Sequence, residues 1–215
     1  IVVPNGTPDN EPRPEDLAAA KERFGLTDET PILFYCGQLN WKKNILHILE
    51  AAKLIMDRGV PFRLVLAGQG PDEADIRKKV DALSLSVCTV FTGHLHEDHL
   101  LNGLYQAASL FVFPSLYDTS GMVVREAAAM HTPSVVTRDG APAEPIVDGE
   151  NGIICENTAE SLADGILRAL GQPPEWLRAL GEHAHQTLYL SWDRVIESAL
   201  ERYSNLIWQK KRGLI

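Results

Sequence analysis

The sequence predicts an α/β protein, a Rossmann-like, doubly wound parallel sheet of about six strands with a helical C-terminus. Short apolar runs recur along the chain, and longer segments with apolar residues at helical spacing lie between them. Such short runs are typical of strands that are buried on both faces of a parallel sheet. Strands that alternate with helices form βαβ units, which right-handed crossovers join into a parallel sheet. Ligands of such sheets bind outside the carboxyl ends of the strands.

The individual elements follow from these patterns. The predicted strands are the apolar runs at 32–36, 62–67, 88–91, 110–113, 134–137 and 152–155. The predicted helices cover 12–24, 44–58, 71–83, a segment that opens at Gly121–Met122, and roughly 158–170, 173–189 and 192–209. Gly25 suits the left-handed residue that ends a helix, and Asn44 suits the N-cap of the next one. We find no internal repeat, so we predict a single domain over 1–215.

Composition excludes several classes of function. The chain has 215 residues, of which 45% are hydrophobic and 23% are charged, as in an ordinary globular domain. Its net charge of −9 argues against a nucleic-acid-binding surface. No apolar run approaches the ~20 residues of a membrane span. The cysteines Cys36, Cys88 and Cys155 are too scattered for a disulfide framework or a zinc site, which predicts a cytoplasmic protein without a metal.

The segment after the fourth predicted strand carries the strongest functional signal. A loop follows the strand, and a helix opens at Gly121–Met122. Unpaired N–H groups and a partial positive charge make a helix N-terminus a natural seat for phosphate. Helical side chains lean toward the N-terminus, so Glu126 should aim its carboxylate at this seat, with Asp118 on its other side. Carboxylates accept hydrogen bonds from hydroxyls, so the segment predicts a nucleotide-sugar ligand.

The same segment resembles a known family. Asp118-x7-Glu126 is similar to the Glu-x7-Glu motif of retaining GT-B glycosyltransferases of the group 1 (family 4) type, with Asp in place of the first Glu. Further similar positions are Phe113-Pro114-Ser115, Pro133–Val136, Gly140, Glu144 and Asp148–Gly152. The resemblance implies that Glu126 binds the ribose hydroxyls of the donor and that Asp118 addresses the donor sugar. These two acids are the candidate catalytic residues.

The resemblance also implies a diphosphate site after the first predicted strand. The family has Gly-Arg-Leu there, with a lysine five residues after the arginine. Here Gln38 replaces the arginine, while Lys43 keeps the spacing, with Lys42 as a second candidate cation. Gln38 can donate hydrogen bonds to phosphate but carries no charge. The candidate substrate-binding residues are Gly37, Gln38, Lys43, Thr119, Ser120, Gly121, Met122 and Val123.

These assignments imply a function for the parent protein. The chain would be the C-terminal, nucleotide-sugar-binding half of a two-domain hexosyltransferase whose N-terminal acceptor domain is absent. The parent would move a sugar from a UDP- or GDP-sugar to a glycan or lipid acceptor with retention, without metal or cofactor, and with possible peripheral membrane contact. The isolated domain would be inactive. Two alternatives stay open: a non-catalytic nucleotide-binding or partner-binding module on the same fold, and a nucleotide-sugar epimerase.

Four further patterns have plainer interpretations. Residues 68–70, Gly-Gln-Gly, lack the third glycine of a dinucleotide-binding loop and predict a tight turn. The cluster of His94, His96 and His99 is interpreted as a polar loop and helix start, with a metal site as the alternative. His131 stands where the family has glycine and predicts a strained, left-handed helix end. Residues 1–6 resemble the linker by which the family enters its C-terminal domain.

Overall fold

The predicted fold class is confirmed by a computed structural model, which describes residues 3, 5–8 and 10–214. In these residues six parallel strands form one sheet in the order β3-β2-β1-β4-β5-β6. The strands are β1 (Ile32–Cys36), β2 (Arg63–Ala67), β3 (Thr89–Gly93), β4 (Leu110–Phe113), β5 (Ser134–Thr137) and β6 (Ile153–Cys155). The chain winds outward from β1 to β3 and then resumes at β4 on the other side of β1. Ligands bind at such a reversal in open α/β sheets.

Eight α-helices flank and follow the sheet in the part of the chain that the structure describes. They are α1 (Pro14–Phe24), α2 (Ile45–Asp57), α3 (Glu73–Ala82), α4 (Asp98–Ala107), α5 (Met122–Ala129), α6 (Ala159–Leu170), α7 (Pro174–Leu188) and α8 (Trp192–Lys211). The predicted end of α1 is confirmed, because Gly25 follows it with φ 61°. The predicted start of α5 is also confirmed, with Gly121 as its N-cap residue. Only α4 had no predicted bounds.

An aromatic cluster fills the core beneath the reversal. Phe34 on β1, Tyr105 on α4 and Phe111 on β4 are buried together. The Tyr105 ring lies edge-on to Phe34 with centroids 5.0 Å apart, and tilted to Phe111 at 5.2 Å. Such ring pairs add about 0.5–1.5 kcal/mol to the stabilisation from buried area. This packing fixes α4 against the two strands that form the reversal.

Asn44 is the N-cap residue of α2, as the sequence predicts, but its side chain does not cap the helix. Asn44 adopts φ 57°, and its side chain makes no capping bond to α2. It instead follows a 3-10 turn, Trp41–Lys43, whose own cap is the side chain of Asn40. Asn tolerates the left-handed conformation, and this frees its amide to donate to the Pro114 carbonyl oxygen at 2.8 Å. Asn44 therefore ties the loop after β1 to the loop after β4.

The N-terminal segment of the described chain is bonded to the connection between α7 and α8. The Thr7 amide donates to the Leu190 carbonyl oxygen at 2.8 Å, and the Trp192 amide donates to the Thr7 carbonyl oxygen at 3.2 Å. The predicted linker at 1–6 lies partly outside the described residues, since Ile1, Val2 and Pro4 are not among them. None of the helices in the described ranges is long and apolar enough to cross a membrane.

Candidate functional site

The candidate site lies at the carboxyl ends of β1 and β4, where the winding of the sheet reverses. The two strands pair directly, with Leu33 opposite Leu110 and Phe34 opposite Phe111. The loops that follow them, 37–44 and 114–121, are therefore neighbours. Besides the Asn44 bond, the Lys43 Nζ atom donates to the Tyr117 carbonyl oxygen at 2.8 Å. The fold thus brings both predicted segments together, although they are far apart in the sequence.

Asp118 is held by a cation and by two backbone amides. Its Oδ2 atom lies 3.0 Å from Lys43 Nζ. Its Oδ1 atom accepts hydrogen bonds from the amides of Ser120 at 3.2 Å and Gly121 at 2.9 Å. Partial burial alone would raise the pKa of Asp118, but the Gly121 amide, Lys43 and the Ser120 amide together hold that pKa below its usual value. Asp118 is therefore a stable carboxylate anion that organises its own loop.

Lys43 has a protein partner that the sequence does not indicate. It forms an ion pair with Asp118, and its contact with a diphosphate stays a prediction. The side chains of Lys43 and Asp118 are 20% and 19% exposed, so solvent screens the pair only in part. The neighbouring Lys42 is exposed. A phosphate that approaches Lys43 must compete with the Asp118 carboxylate.

The start of α5 provides free amide donors beside this ion pair. Gly121 has φ 58°, which glycine adopts without strain, and a Cβ atom there would lie 3.0 Å from the Pro142 Cα atom. The backbone amides of Met122 and Val123 donate no hydrogen bond to the described part of the chain, as is usual for the first amides of a helix. Thr119 is exposed and Ser120 half-buried at the mouth of this loop.

Glu126 is half-buried and has no cationic partner in the described part of the chain. Its Oε2 atom accepts a hydrogen bond from the Tyr105 hydroxyl at 3.0 Å. Among the described residues, no Lys or Arg forms an ion pair with it. Burial raises the pKa of the Glu126 carboxyl, and the hydrogen bond from Tyr105 partly opposes that rise. Glu126 lines a cavity of about 120 Å³, whose other polar lining includes Thr7, Asn10 and Asp98.

The loop after β1 is fixed by close backbone packing. The Gly37 amide donates to the Ala67 carbonyl oxygen at 3.0 Å, and a Cβ atom on Gly37 would lie 2.9 Å from the Tyr35 hydroxyl oxygen. That hydroxyl donates to the Gln38 carbonyl oxygen at 3.0 Å. The side-chain oxygen of Gln38 accepts a hydrogen bond from the side-chain amide of Asn40 at 2.6 Å. The Gln38 side chain is thus engaged within its own loop.

The Gly-Gln-Gly segment after β2 packs against this loop. A Cβ atom on Gly68 would lie 2.0 Å from the Gly37 carbonyl oxygen, and one on Gly70 would lie 2.3 Å from the Leu39 carbonyl oxygen. The Leu39 amide donates to the Gln69 carbonyl oxygen at 3.1 Å. Both glycines therefore have a packing requirement, which agrees with the interpretation as a tight turn.

The contacts of the histidines in the described residues do not include the two acids. The rings of His94 and His96 meet edge-on at 4.5 Å. Within the described ranges, no group of three or more His, Cys, Asp or Glu side chains is placed to hold a metal. His131 has φ 57°, as the sequence predicts. Its ring stacks on His185 at 4.0 Å, and its Nδ1 atom lies 2.8 Å from Glu182 Oε2, at the end of α5 remote from Glu126.

Tyr105 is the residue that sequence reasoning missed. It lies 21 positions before Glu126 in the sequence, on a helix whose bounds were not predicted. The only available signal was a tyrosine on the same helical segment as apolar residues, which is also typical of simple core packing. The roles assigned to the other site residues stay predictions, since the geometry brings them together without a ligand.

Comparison with known proteins identifies the family. The family model described as "Glycosyl transferases group 1" matches residues 18–187. The chain belongs to this family. The matched range includes both acids, the Lys43 loop and five of the eight helices in full.

Individual relatives agree with this assignment. The chain is 28% identical over 200 residues to the GDP-mannose-dependent α-(1-6)-phosphatidylinositol dimannoside mannosyltransferase of Mycobacterium tuberculosis, covering 93% of this chain and 51% of the relative. It resembles sucrose-phosphate synthase from Thermosynechococcus elongatus with a TM-score of 0.80 at 26% identity, covering 96% and 52% of the two chains. Anabaena HepE, crystallised with UDP and glucose, also has a TM-score of 0.80, at 17% identity, covering 95% and 56%. The chain spans about half the length of the curated relatives it matches.

Proposed function

We propose that this chain is the donor-binding domain of a retaining GT-B glycosyltransferase. The parent protein transfers a hexose-type sugar from a nucleotide-diphosphate sugar to a glycan or lipid acceptor, which a second, N-terminal domain binds. One observation carries the proposal. At the carboxyl edge of the sheet, the Lys43 ammonium pairs with Asp118 beside the unpartnered amides of Met122 and Val123, and Glu126 follows in the same helix.

The diphosphate is assigned to Lys43 and to the amides of Met122 and Val123. The chain has a net charge of −9, so its overall field repels an anionic donor and local donors must bind it. The partial positive charge at the start of α5 adds to the Lys43 ammonium. These groups also stabilise the charge that develops on the diphosphate when the sugar leaves, a task that requires no metal in this proposal.

The two acids are assigned to the two hydroxyl-rich ends of the donor. Glu126 lines a cavity, and its carboxylate can accept further hydrogen bonds besides the one from Tyr105, so it suits the ribose hydroxyls. Asp118 lies across the helix start and suits the donor sugar once the diphosphate has replaced it on Lys43. Orientation of the transferred sugar against the acceptor then governs the rate of the chemical step.

The family relatives support a GDP- or UDP-linked donor. One relative is GDP-mannose-dependent by name, and HepE was crystallised with UDP and glucose. A thermal-shift panel of UDP, GDP, ADP and their sugars on this chain tests the proposal. A bound ligand at a hundredfold excess over its Kd stabilises the native state by about 2.7 kcal/mol. We expect one nucleoside diphosphate and its sugar to raise Tm well above the others.

The decisive variant is Glu126→Gln, with Glu22→Gln as the control. Glu22 is an exposed residue of α1. Glu126→Gln removes charge-assisted hydrogen bonds worth roughly 1.5–3 kcal/mol, so the Kd for the preferred nucleoside diphosphate should rise about tenfold to a hundredfold. Glu22→Gln should leave it unchanged. Equal affinity in all three proteins would reject the donor site.

One observation favours a second candidate, a non-catalytic nucleotide-binding module. Gln38 carries no charge, and its side-chain oxygen is engaged with Asn40. A diphosphate at this site meets one cation fewer than the family motif provides. Sugar transfer by the full-length protein with the preferred donor distinguishes the candidates, because a module would bind the donor without turnover.

A further inference from the structure

The side chain of Tyr105 is immobilised within the core. It is 1% exposed, and its ring packs against Phe34 and Phe111 from the two strands that form the reversal. Its carbonyl oxygen accepts a hydrogen bond from the buried Thr132 hydroxyl at 2.5 Å. The packing of the ring against the two strands gives the hydroxyl oxygen a defined position.

The acceptor that this hydroxyl uses is unusual for a packing tyrosine. A buried hydroxyl needs a hydrogen-bond partner, which a neighbouring backbone carbonyl normally supplies. Among the described residues, the bond that the Tyr105 hydroxyl donates goes to Glu126 Oε2 at 3.0 Å. The other carboxylate oxygen, Oε1, accepts no hydrogen bond from those residues and belongs to a side chain that lines the cavity.

We propose that Tyr105 is a positioning residue of the donor site, which holds one carboxylate oxygen of Glu126 so that the other faces the ribose hydroxyls. This inference rests on the proposed function, because it assigns the ligand of Glu126. Tyr105 does not touch the ligand. It restricts the rotation of a half-buried carboxylate, and a preorganised acceptor binds hydroxyls with a smaller loss of conformational entropy.

The same hydrogen bond also affects the pKa of the Glu126 carboxyl. Burial raises the pKa of the Glu126 carboxyl and the Tyr105 hydrogen bond lowers it, so loss of the hydroxyl should raise this pKa further. Titratable side chains from several elements lie around α5. They are Tyr105 and Asp98 from α4, Cys36 from β1, His185 from α7, Arg125 from α5 itself, and Lys43 and Asp118 near the N-terminus of α5.

These neighbours leave Tyr105 as the group that favours the charged form. Asp98 lines the same cavity, and burial raises the pKa of the Cys36 thiol to about 12. Arg125 donates to the Leu188 carbonyl oxygen, and His185 contacts the Ala128 carbonyl oxygen further along the helix. Lys43 is paired with Asp118.

The test is Tyr105→Phe, which keeps the ring and removes only the hydroxyl. Calorimetry would measure the affinity for the preferred nucleoside diphosphate among UDP, GDP and ADP, and for inorganic pyrophosphate, between pH 4.5 and 8. We expect the nucleotide Kd to rise roughly threefold to tenfold, since one hydrogen bond to a charged group is lost indirectly. The pH below which nucleotide affinity falls should move upward. Pyrophosphate affinity should not change.

Thr132→Val is the matched control. It removes a buried hydroxyl that contacts the Tyr105 carbonyl oxygen, which also accepts from the Ala108 amide at 3.2 Å. This variant should lose stability while keeping the nucleotide Kd and its pH dependence. If Tyr105→Phe lost stability but kept the nucleotide Kd and its pH dependence, as expected for Thr132→Val, Tyr105 would be a packing residue and the proposal would be wrong. An equal loss of pyrophosphate and nucleotide affinity would also overturn the proposal.

A second measurement covers the case in which Tyr105→Phe fails to fold. Replacement of the tyrosines by 3-fluorotyrosine makes the phenol a stronger donor, so the pKa of Glu126, followed by the ¹³C shift of its carboxyl, should fall. An unchanged pKa would contradict the proposal. If Glu126→Gln itself leaves nucleotide affinity unchanged, the proposed function fails and this inference with it. A Tyr105 effect limited to stability rejects this inference alone.

Discussion

Asp118 and Glu126 belong to one loop and helix, yet their surroundings are opposite. Asp118 has a lysine and two amides, and its pKa lies below the usual value despite partial burial. Glu126 has a single hydroxyl donor, and burial raises its pKa. Environments that separate the pKa values of two acids are typical of sites where the acids have distinct tasks. The difference indicates that Asp118 has its ion-pair and hydrogen-bond partners within the protein, whereas the Glu126 carboxylate can still accept hydrogen bonds from a ligand.

The largest effect is expected from Lys43→Met, which leaves Asp118 without its cation. The nucleoside diphosphate would lose its main charged donor and meet an unpaired carboxylate, so its Kd should rise about a hundredfold by calorimetry. Lys42→Met is the control, since Lys42 belongs to the same turn and is exposed. Equal effects of the two variants would mean that general surface charge, and no specific lysine, attracts the diphosphate.

A smaller and opposite effect is expected from Asp118→Asn. The asparagine oxygen can still accept from the Ser120 and Gly121 amides, so the loop keeps its turn while Lys43 is released. A partly exposed ion pair is worth about 0–1 kcal/mol, so binding of the bare nucleoside diphosphate should tighten by up to about fivefold. Sugar transfer by the full-length protein should fall.

Asp57→Asn serves as the control for Asp118→Asn, because Asp57 pairs with Lys53 on α2, remote from the site. It should change neither binding nor transfer. Weaker diphosphate binding by Asp118→Asn would show that the carboxylate orders the site more than it competes with the ligand.

The smallest effect concerns stability. The folded-state pKa of Glu126 is raised, so its favourable contribution is complete at low pH and is lost as the pH rises through that pKa. Above that pKa the half-buried charge therefore destabilises the fold, so Glu126→Gln should increase Tm modestly there while weakening nucleotide binding. Near pH 4 the two proteins should unfold at nearly equal temperatures. A lower Tm for Glu126→Gln at pH 7 would mean that the carboxylate is a structural group.

The sequence predicted the sheet well because its signals are local. Residues 32–36 end directly at Gly37, and a short apolar run bounded in this way has few other structures available. The start of α5 at Met122 was predicted for the same reason. Asn44 was predicted as the N-cap residue of α2, but nothing in the sequence indicated that its side chain bonds to the Pro114 carbonyl 70 positions away. Local propensity does not contain such contacts.

The candidate site was predicted by position but not by environment. Spacing placed Asp118 and Glu126 around the helix start, and the resemblance added Lys43. The Lys43–Asp118 ion pair joins residues 75 positions apart, and it depends on β1 and β4 being neighbours in the sheet. The Tyr105–Glu126 bond depends on how α4 packs beneath the reversal. Tertiary packing, and no short motif, sets the charge states that distinguish the two acids.

The central claim is that a nucleoside diphosphate binds at the start of α5 and displaces Asp118 from Lys43. A titration of the ¹⁵N-labelled chain with the preferred nucleoside diphosphate, followed by amide chemical shifts, tests it most directly. We predict the largest shifts at Met122 and Val123, with changes at Ser120 and Gly121 as the Asp118 carboxylate moves. Shifts concentrated near His131 at the other end of α5, or none at Met122 and Val123 under saturating nucleotide, would contradict the account.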